Sequence, residues 1–294
     1  MTDFSLEIKH IYKSYKKVHA LSDISLSLTN GIYALLGPNG SGKSTLISII
    51  TQNLKQDHGE VFCNGENIQK MGKRYRAILG YVPQSSGVIP SFSLNEFLMY
   101  IADLKGLNRE ASSKQIPELI NLVDLEEFQD RKLGTFSEGM KRRALFAQSL
   151  LGNPSVLILD EPTAGLDPIQ RTNLKNSLMH FSEDKCILFA THLIPDIEEL
   201  ASYLVFLKKG RITAEGKPEK IKELLLNCFW DVPESSIMVE GNSNEYRIVK
   251  YYHKENKQLA RVISPTRPCE EAVPVIPDIN DCYHYYFERL ELDE

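Results

Sequence analysis

Residues 4–11, FSLEIKHI, alternate polar and apolar side chains as a strand with one buried face does, and ALSDISLSL at 20–28 repeats the pattern. GIYALLG at 31–37 is a continuous apolar run, expected of a strand covered on both faces. Residues 44–54 carry helical spacing, GEVFCNGENI sets an Asn-Gly turn between two short strands, and AILGYVPQ is a strand stopped at Pro83. The texture then turns helical. SLNEFLMYIADLKG opens with Ser93 three residues before Glu96, a capping-box pattern, and ends at Gly106; helical patterns follow around 112–123 and 138–151. Buried-strand patterns return in SVLILDEP (155–162), KCILFATH (185–192) and YLVFLKKG (203–210), with helical segments expected between them. Strands alternating with helices predict an α/β domain over 1–216 with a parallel sheet, interrupted by a helical insertion at about 85–153. Beyond Gly216 a short helical piece at 218–227 leads to FWDVPESSIMVEGNSNEYRIVKYY and the proline-spaced PTRPCEEAVPVIP. Residues 217–294 are read as a small accessory α+β domain.

Composition narrows the classes. A formal charge of −5 argues against a nucleic-acid binder held by a broad basic face, leaving MKRRA at 140–144 as a local basic patch. No stretch approaches the apolar length of a membrane-spanning helix, and the alternating start MTDFSLEIKHIYKSYKK lacks the apolar block of a secretory signal. The expectation is a chain that stays on the cytosolic side. Five scattered cysteines without a C-x-x-C pair suit reduced thiols better than a disulfide framework or a zinc site.

The most informative stretch is LLGPNGSGKSTL at 35–46. Gly37, Gly40 and Gly42 before Lys43 and Ser44 fit the spacing G-x-x-x-x-G-K-[ST], between a predicted strand and a predicted helix. Backbone N–H groups reach a phosphate where no Cβ intervenes, so the loop Gly37, Pro38, Asn39, Gly40, Ser41 and Gly42 would curl round a β-phosphate, its N–H groups forming an anion nest. The following helix points its positive end at the same oxygens. Lys43 would supply a charge to the β- and γ-phosphates, Ser44 a hydroxyl to Mg²⁺, and Thr45 a contact on the α-phosphate side. The pattern identifies the nucleotide and leaves the job open among kinases, GTPases, helicases and transport ATPases.

SVLILDEPTAGLD narrows the job. Asp160 ends a buried strand where a parallel sheet opens onto its ligand crevice, suited to holding Mg²⁺ with Ser44. Glu161 follows, and a carboxylate there can orient and polarise the attacking water. His192 closes the next strand, where an imidazole can hydrogen-bond the γ-phosphate. Gln84, at the end of YVPQ, carries an amide able to touch Mg²⁺ or the attacking water, and leads into the helical insertion.

In order, GPNGSGKST, VPQ, FSEGMKRR, LILDEP, AGLD and ATH resemble the Walker A loop, Q-loop, signature, Walker B, D-loop and H-loop of the ATP-binding-cassette (ABC) superfamily over about residues 4–216. The resemblance implies a P-loop NTPase cassette with an antiparallel N-terminal β part and an inserted helical subdomain. It also implies two such domains packed head to tail, as homo- or heterodimer, with ATP on one P-loop completed by the other copy's signature. Ser137 and Gly139 would then face the γ-phosphate from a helix N-terminus, Asp167 would lie near the dimer seam, and Tyr15 would stack on adenine. Glu138 and Met140 depart from the family's Ser-Gly-Gly-Gln. Glu138 is expected to face solvent or a basic partner, since a carboxylate pointing inward would oppose phosphate. The accessory domain and the insertion are similar to subunits paired with separate export-type membrane proteins that handle drugs, antibiotic peptides, polysaccharides or ions. The implied protein is a Mg²⁺–ATPase bound peripherally at the cytoplasmic side of the membrane, with a separate permease and no nucleic acid as partner. Alternatives are a regulatory or sensor cassette, or a soluble cassette acting outside transport.

Overall fold

Alternating burial fixes the first sheet. The computed structural model describes residues 4–85, 87–239, 246–254 and 257–288; Ser86 of the insertion, and 240–245, 255–256 and 289–294 of the accessory domain, lie outside the described residues. Strands β1 (Leu6–Tyr15) and β2 (Val18–Leu28) pair antiparallel, turning Leu6, Ile8, Ile11, Leu21, Ile24, Leu26 and Leu28 into one core. β3 (Gly31–Leu36), buried at all six positions, leads to helix α1 (Lys43–Ile50). The helix stops four residues short of the sequence expectation because the chain turns through Gln52 at φ 61°. β4 (His58–Cys63) and β5 (Glu66–Asn67) join β1 and β2 in the order β2-β1-β4-β5, with the predicted Asn-Gly turn between them. Short helices α2 (Ile68–Met71) and α3 (Lys73–Ala77) precede β6 (Leu79–Val82).

The insertion consists of α4 (Leu94–Leu104), α5 (Arg109–Leu122) and α6 (Glu138–Ser149). Ser93 and Glu96 form the reciprocal capping box, Glu96 N–H donating to Ser93 Oγ at 3.2 Å and Ser93 N–H to Glu96 Oε2 at 2.7 Å. α5 begins three residues before its apolar periodicity does, because the Asn108 side chain accepts from Ala111 N–H at 3.0 Å and caps a polar first turn.

β7 (Val156–Asp160), α7 (Pro168–Phe181), β8 (Cys186–Thr191), β9 (Tyr203–Lys208) and β10 (Arg211–Gly216) follow. The sheet order is β10-β9-β3-β8-β7-β6, with the four pairings from β9 to β6 parallel. β7 and β8 are buried at every residue, as continuous apolar runs demand. Each fully buried Leu or Ile there is worth roughly 1.5–3 kcal/mol over its exposed state. Only a 3₁₀ turn at Ile194–Asp196 stands between β8 and β9, where a helix was expected. Pro195 supplies no backbone donor, and the buried Asp196 accepts from Thr163 Oγ1 at 2.5 Å instead.

Gly80 marks how tightly β6 meets the insertion. A Cβ there would overlap the carbonyl oxygen of Ser149 at the end of α6 and lie 2.6 Å from Leu157 Cδ2. Gly80→Ala is expected to cost about 1–3 kcal/mol by overpacking and to lower the midpoint of a thermal melt by several degrees. An unchanged melt would show that helix and strand part freely.

The chain divides into two compact units, Met1–Ile212 and Thr213–Glu294. The second holds α8 (Pro218–Leu224), β11 (Phe229–Pro233), α9 (Glu234–Val239), β12 (Arg247–Lys254), β13 (Lys257–Ile263), β14 (Val273–Pro274) and α10 (Ile279–Glu288). Its antiparallel sheet runs β12-β13-β11-β14. The proline-spaced tail thus contributes β14, with Pro274 on an edge where its missing N–H is tolerated. Val232, Ala260, Val262 and Ala272 form this unit's apolar core, and Arg261 bridges Asp231 at 2.6 Å and Asp281 at 2.5 Å.

Candidate active site

Between β3 and α1 the chain makes a bare turn. Gly42 adopts φ 113°, and a Cβ there would sit 2.7 Å from the Ala20 carbonyl oxygen, so no side chain fits. Gly40, at φ 80°, has open space where a side chain would be, which leaves its amide approachable. Lys43 Nζ donates to the carbonyls of Gly37 at 2.5 Å and Pro38 at 3.2 Å. Burial lowers the Lys43 pKa, while the nearby Glu161 and Asp160 carboxylates oppose that shift. The loop's cation is thus held over its own backbone, facing two acids.

Those acids end β7. Asp160 and Glu161 are each only 4% exposed. Burial first, and then the Glu161 charge, push the Asp160 pKa up; Lys43, Arg142 and a hydrogen bond from Ser44 pull it down. Glu161 takes a left-handed backbone, φ 51°, and its N–H donates to the Ala190 carbonyl at 2.9 Å. Both carboxylate oxygens are held: Oε2 accepts from Thr191 Oγ1 at 3.1 Å and Oε1 lies 2.7 Å from His192 Nδ1. The imidazole therefore sits beside the carboxylate rather than standing alone at the strand's end.

A cleft of about 630 Å³ gathers most of the predicted residues: the loop from Pro38 to Thr45, Tyr15, Gln84, Asp160 and Glu161 all line it. Tyr15, 47% exposed at the end of β1, lines it too, with Lys13 Nζ 5.9 Å from the centre of its ring. Gly37 lies behind the loop as the acceptor for Lys43. Val18, His19, Ala20 and Lys209 also line the cleft and escaped the sequence reading. For Lys209 the signal was the LKKG turn after a buried strand: Gly210 N–H donates to the Ser41 carbonyl at 2.8 Å, tying that turn to the loop.

His192, Ser137, Gly139 and Asp167 are not among the residues lining this cleft; His192 reaches it only through Glu161. Ser137 caps α6 by accepting from Met140 N–H at 3.2 Å, and Asp167 caps α7 by accepting from Gln170 N–H at 2.8 Å. The two caps are neighbours, since a Cβ on Gly139 would meet the Gly165 carbonyl oxygen at 2.8 Å. Glu138 points away, 71% exposed and paired with Lys141 at 2.8 Å. The basic run is committed internally. Arg142 donates to the Pro83 and Gln84 carbonyls, and Arg143 to those of Val123 and Asp124. MKRRA is therefore a set of backbone clamps, not a free anion patch.

The donors suit a hard divalent ion only alongside a nucleotide. Among the described residues no group of three or more His, Cys, Asp or Glu side chains is arranged to hold a metal. One carboxylate, Asp160, and one hydroxyl, Ser44, with the Gln84 amide nearby, match Mg²⁺, which keeps waters and takes the rest of its shell from phosphate oxygens.

Comparison with known proteins agrees with this geometry. A family model described as ABC transporter matches residues 21–164. The chain is 33% identical over 219 residues to the uncharacterized ABC transporter ATP-binding protein YxlF of Bacillus subtilis (strain 168), covering 74% of this chain and 72% of that protein. It is 33% identical over 225 residues to Nod factor export ATP-binding protein I of Burkholderia pseudomallei (strain 1710b), covering 76% and 74%. Among solved structures, a dimeric post-hydrolysis state of the ATP-binding cassette MJ0796, bound to ADP and Pi, superposes with a TM-score of 0.67 at 26% identity over 72% of this chain and 98% of that one.

Proposed function

The chain belongs to the ABC transporter family as an ATP-binding subunit and ATPase, and from that premise we propose that it powers export through a separate membrane permease. The ATP-hydrolysing part of the reading is carried by the convergence of Lys43, Asp160, Gln84 and a doubly held Glu161 on one cleft, and the export part by similarity to a Nod factor export protein. In this reading Lys43 and the loop amides hold the β- and γ-phosphates, Tyr15 stacks on adenine, and Thr45 reaches the α-phosphate side. Ser44, Asp160 and Gln84 would hold Mg²⁺, which supplies positive charge against the phosphate oxygens. Glu161 accepts the proton of the attacking water, and His192, 2.7 Å from that carboxylate, orients it.

Ser137 and Gly139 stand at a helix N-terminus outside their own chain's cleft, an arrangement that suits the phosphates of a second copy packed head to tail. The relative solved as a dimer supports that pairing. ATP favours the closed pair and its hydrolysis the open one, so differential affinity is the energy source. The outward turn of Glu138 removes the objection that its charge would repel phosphate. Similarity to a Nod factor export protein supports the direction. The cargo would be a drug, an antibiotic peptide or a comparable compound, recognised by the permease. No helix among the described residues is long and apolar enough to cross a membrane, in keeping with a subunit docked on the membrane's cytoplasmic face.

Tagged chain drawn from detergent-solubilised membranes is expected to bring down a strongly hydrophobic protein in near-equal amount, with turnover that responds to cargo. Recovery of the chain alone, with turnover indifferent to membranes, would overturn the transport reading.

A further inference from the structure

Arg142 lies in the second turn of α6, the helix whose N-terminus carries Ser137 and Gly139. Its half-buried guanidinium donates from one terminal nitrogen to the Pro83 carbonyl at 2.6 Å and from the other to the Gln84 carbonyl at 2.8 Å. A planar fork matches two successive carbonyls in a way a single ammonium does not. The adjacent Arg143 does unrelated work at the end of α5, bonding Val123 and Asp124. The charged groups that Arg142 feels are Glu138 one turn back and Asp160 and Glu161 in the cleft. It thus joins the helix of the signature to the exit of β6, within electrostatic reach of the acids at the end of β7.

We propose that Arg142 is a positioning residue for hydrolysis: by clamping the Pro83 and Gln84 carbonyls to α6, it makes the setting of that helix decide where the Gln84 side chain lies in the cleft. The proposal rests on the reading of Gln84 as a group that reaches the cation or the attacking water. A helix that turns toward or away from a partner copy would carry Gln84 with it. ATP held by Lys43 and the glycine loop is untouched by the clamp, so the effect falls on turnover and not on binding.

The test is a double-mutant cycle on the full chain. Arg142→Ala should lower kcat on the order of tenfold while the ATP KM stays within about twofold. Arg142→Lys, which keeps the charge and one hydrogen bond, should fall between that variant and the parent, and remains readable if the alanine variant folds poorly. On a Gln84→Ala background, Arg142→Ala should slow turnover no further. If Gln84→Ala slows turnover and Arg142→Ala multiplies the loss by its full factor, the clamp is overturned and the Gln84 assignment stands. If Gln84→Ala alone leaves kcat unchanged, the Gln84 assignment falls and the clamp with it. A loss in Arg142→Ala that appears equally in KM and in thermal stability also overturns the proposal, leaving a merely structural arginine.

Discussion

Glu161→Gln is expected to bind ATP normally and to stop turning it over. The side chains are isosteric, and the backbone demand at φ 51° is the same for both. A glutamine oxygen can still accept from Thr191, as Glu161 Oε2 does now at 3.1 Å. What disappears is a carboxylate able to take a proton from water. Removing a general base of this kind costs on the order of 10²–10⁴ in rate. With hydrolysis blocked, the closed pair should accumulate, so size-exclusion chromatography with light scattering in Mg²⁺–ATP should show a stable dimer that ADP does not produce. Turnover within about tenfold of the parent would remove Glu161 from the role of base.

Lys43→Ala should fail one step earlier, at binding. Lys43 Nζ is already within hydrogen-bonding distance of two loop carbonyls and sits near Asp160 and Glu161. Its loss withdraws a charged donor from the phosphates and leaves two nearly buried acids facing a polyanion. A hydrogen bond to a charged group contributes about 1.5–3 kcal/mol, so each one lost weakens binding roughly 10- to 150-fold. Equilibrium titration with a fluorescent ATP analogue in the presence of Mg²⁺ measures this directly. An unchanged dissociation constant would disprove the assignment of the loop as the phosphate cradle.

The parts of the fold readable in advance are those whose signals are local. GIYALL, VLILD and CILFAT are buried at every position, as short continuous apolar runs are in a strand covered on both faces. The Ser93–Glu96 capping box and the glycine spacing before Lys43 are likewise complete within a few residues. What escaped depends on neighbours distant in the chain. Nothing in MKRR tells that one arginine clamps residues 83–84 and the next residues 123–124. Lys209 lines the cleft because Gly210 is tied to Ser41, a link spanning almost the whole first unit. Between β8 and β9 the chain makes a 3₁₀ turn, where Pro195 lacks a backbone donor and the buried Asp196 is held by Thr163 from far back in the chain. The accessory unit was the least legible, since β12 is at most partly buried along its length and β14 is exposed, so neither shows a clear alternation.

The near-contact of Gly139 with the Gly165 carbonyl has a consequence for any pair of these chains. In the head-to-tail pairing proposed above, the lid that one chain would offer its neighbour's triphosphate is seated on a loop that follows the lender's own Glu161. A bulkier residue at 139 would thus injure two pockets at once, the borrowed one and its owner's. Mixed pairs of altered and intact chains would lose more than half their output, which is how a single faulty copy becomes dominant over a healthy one.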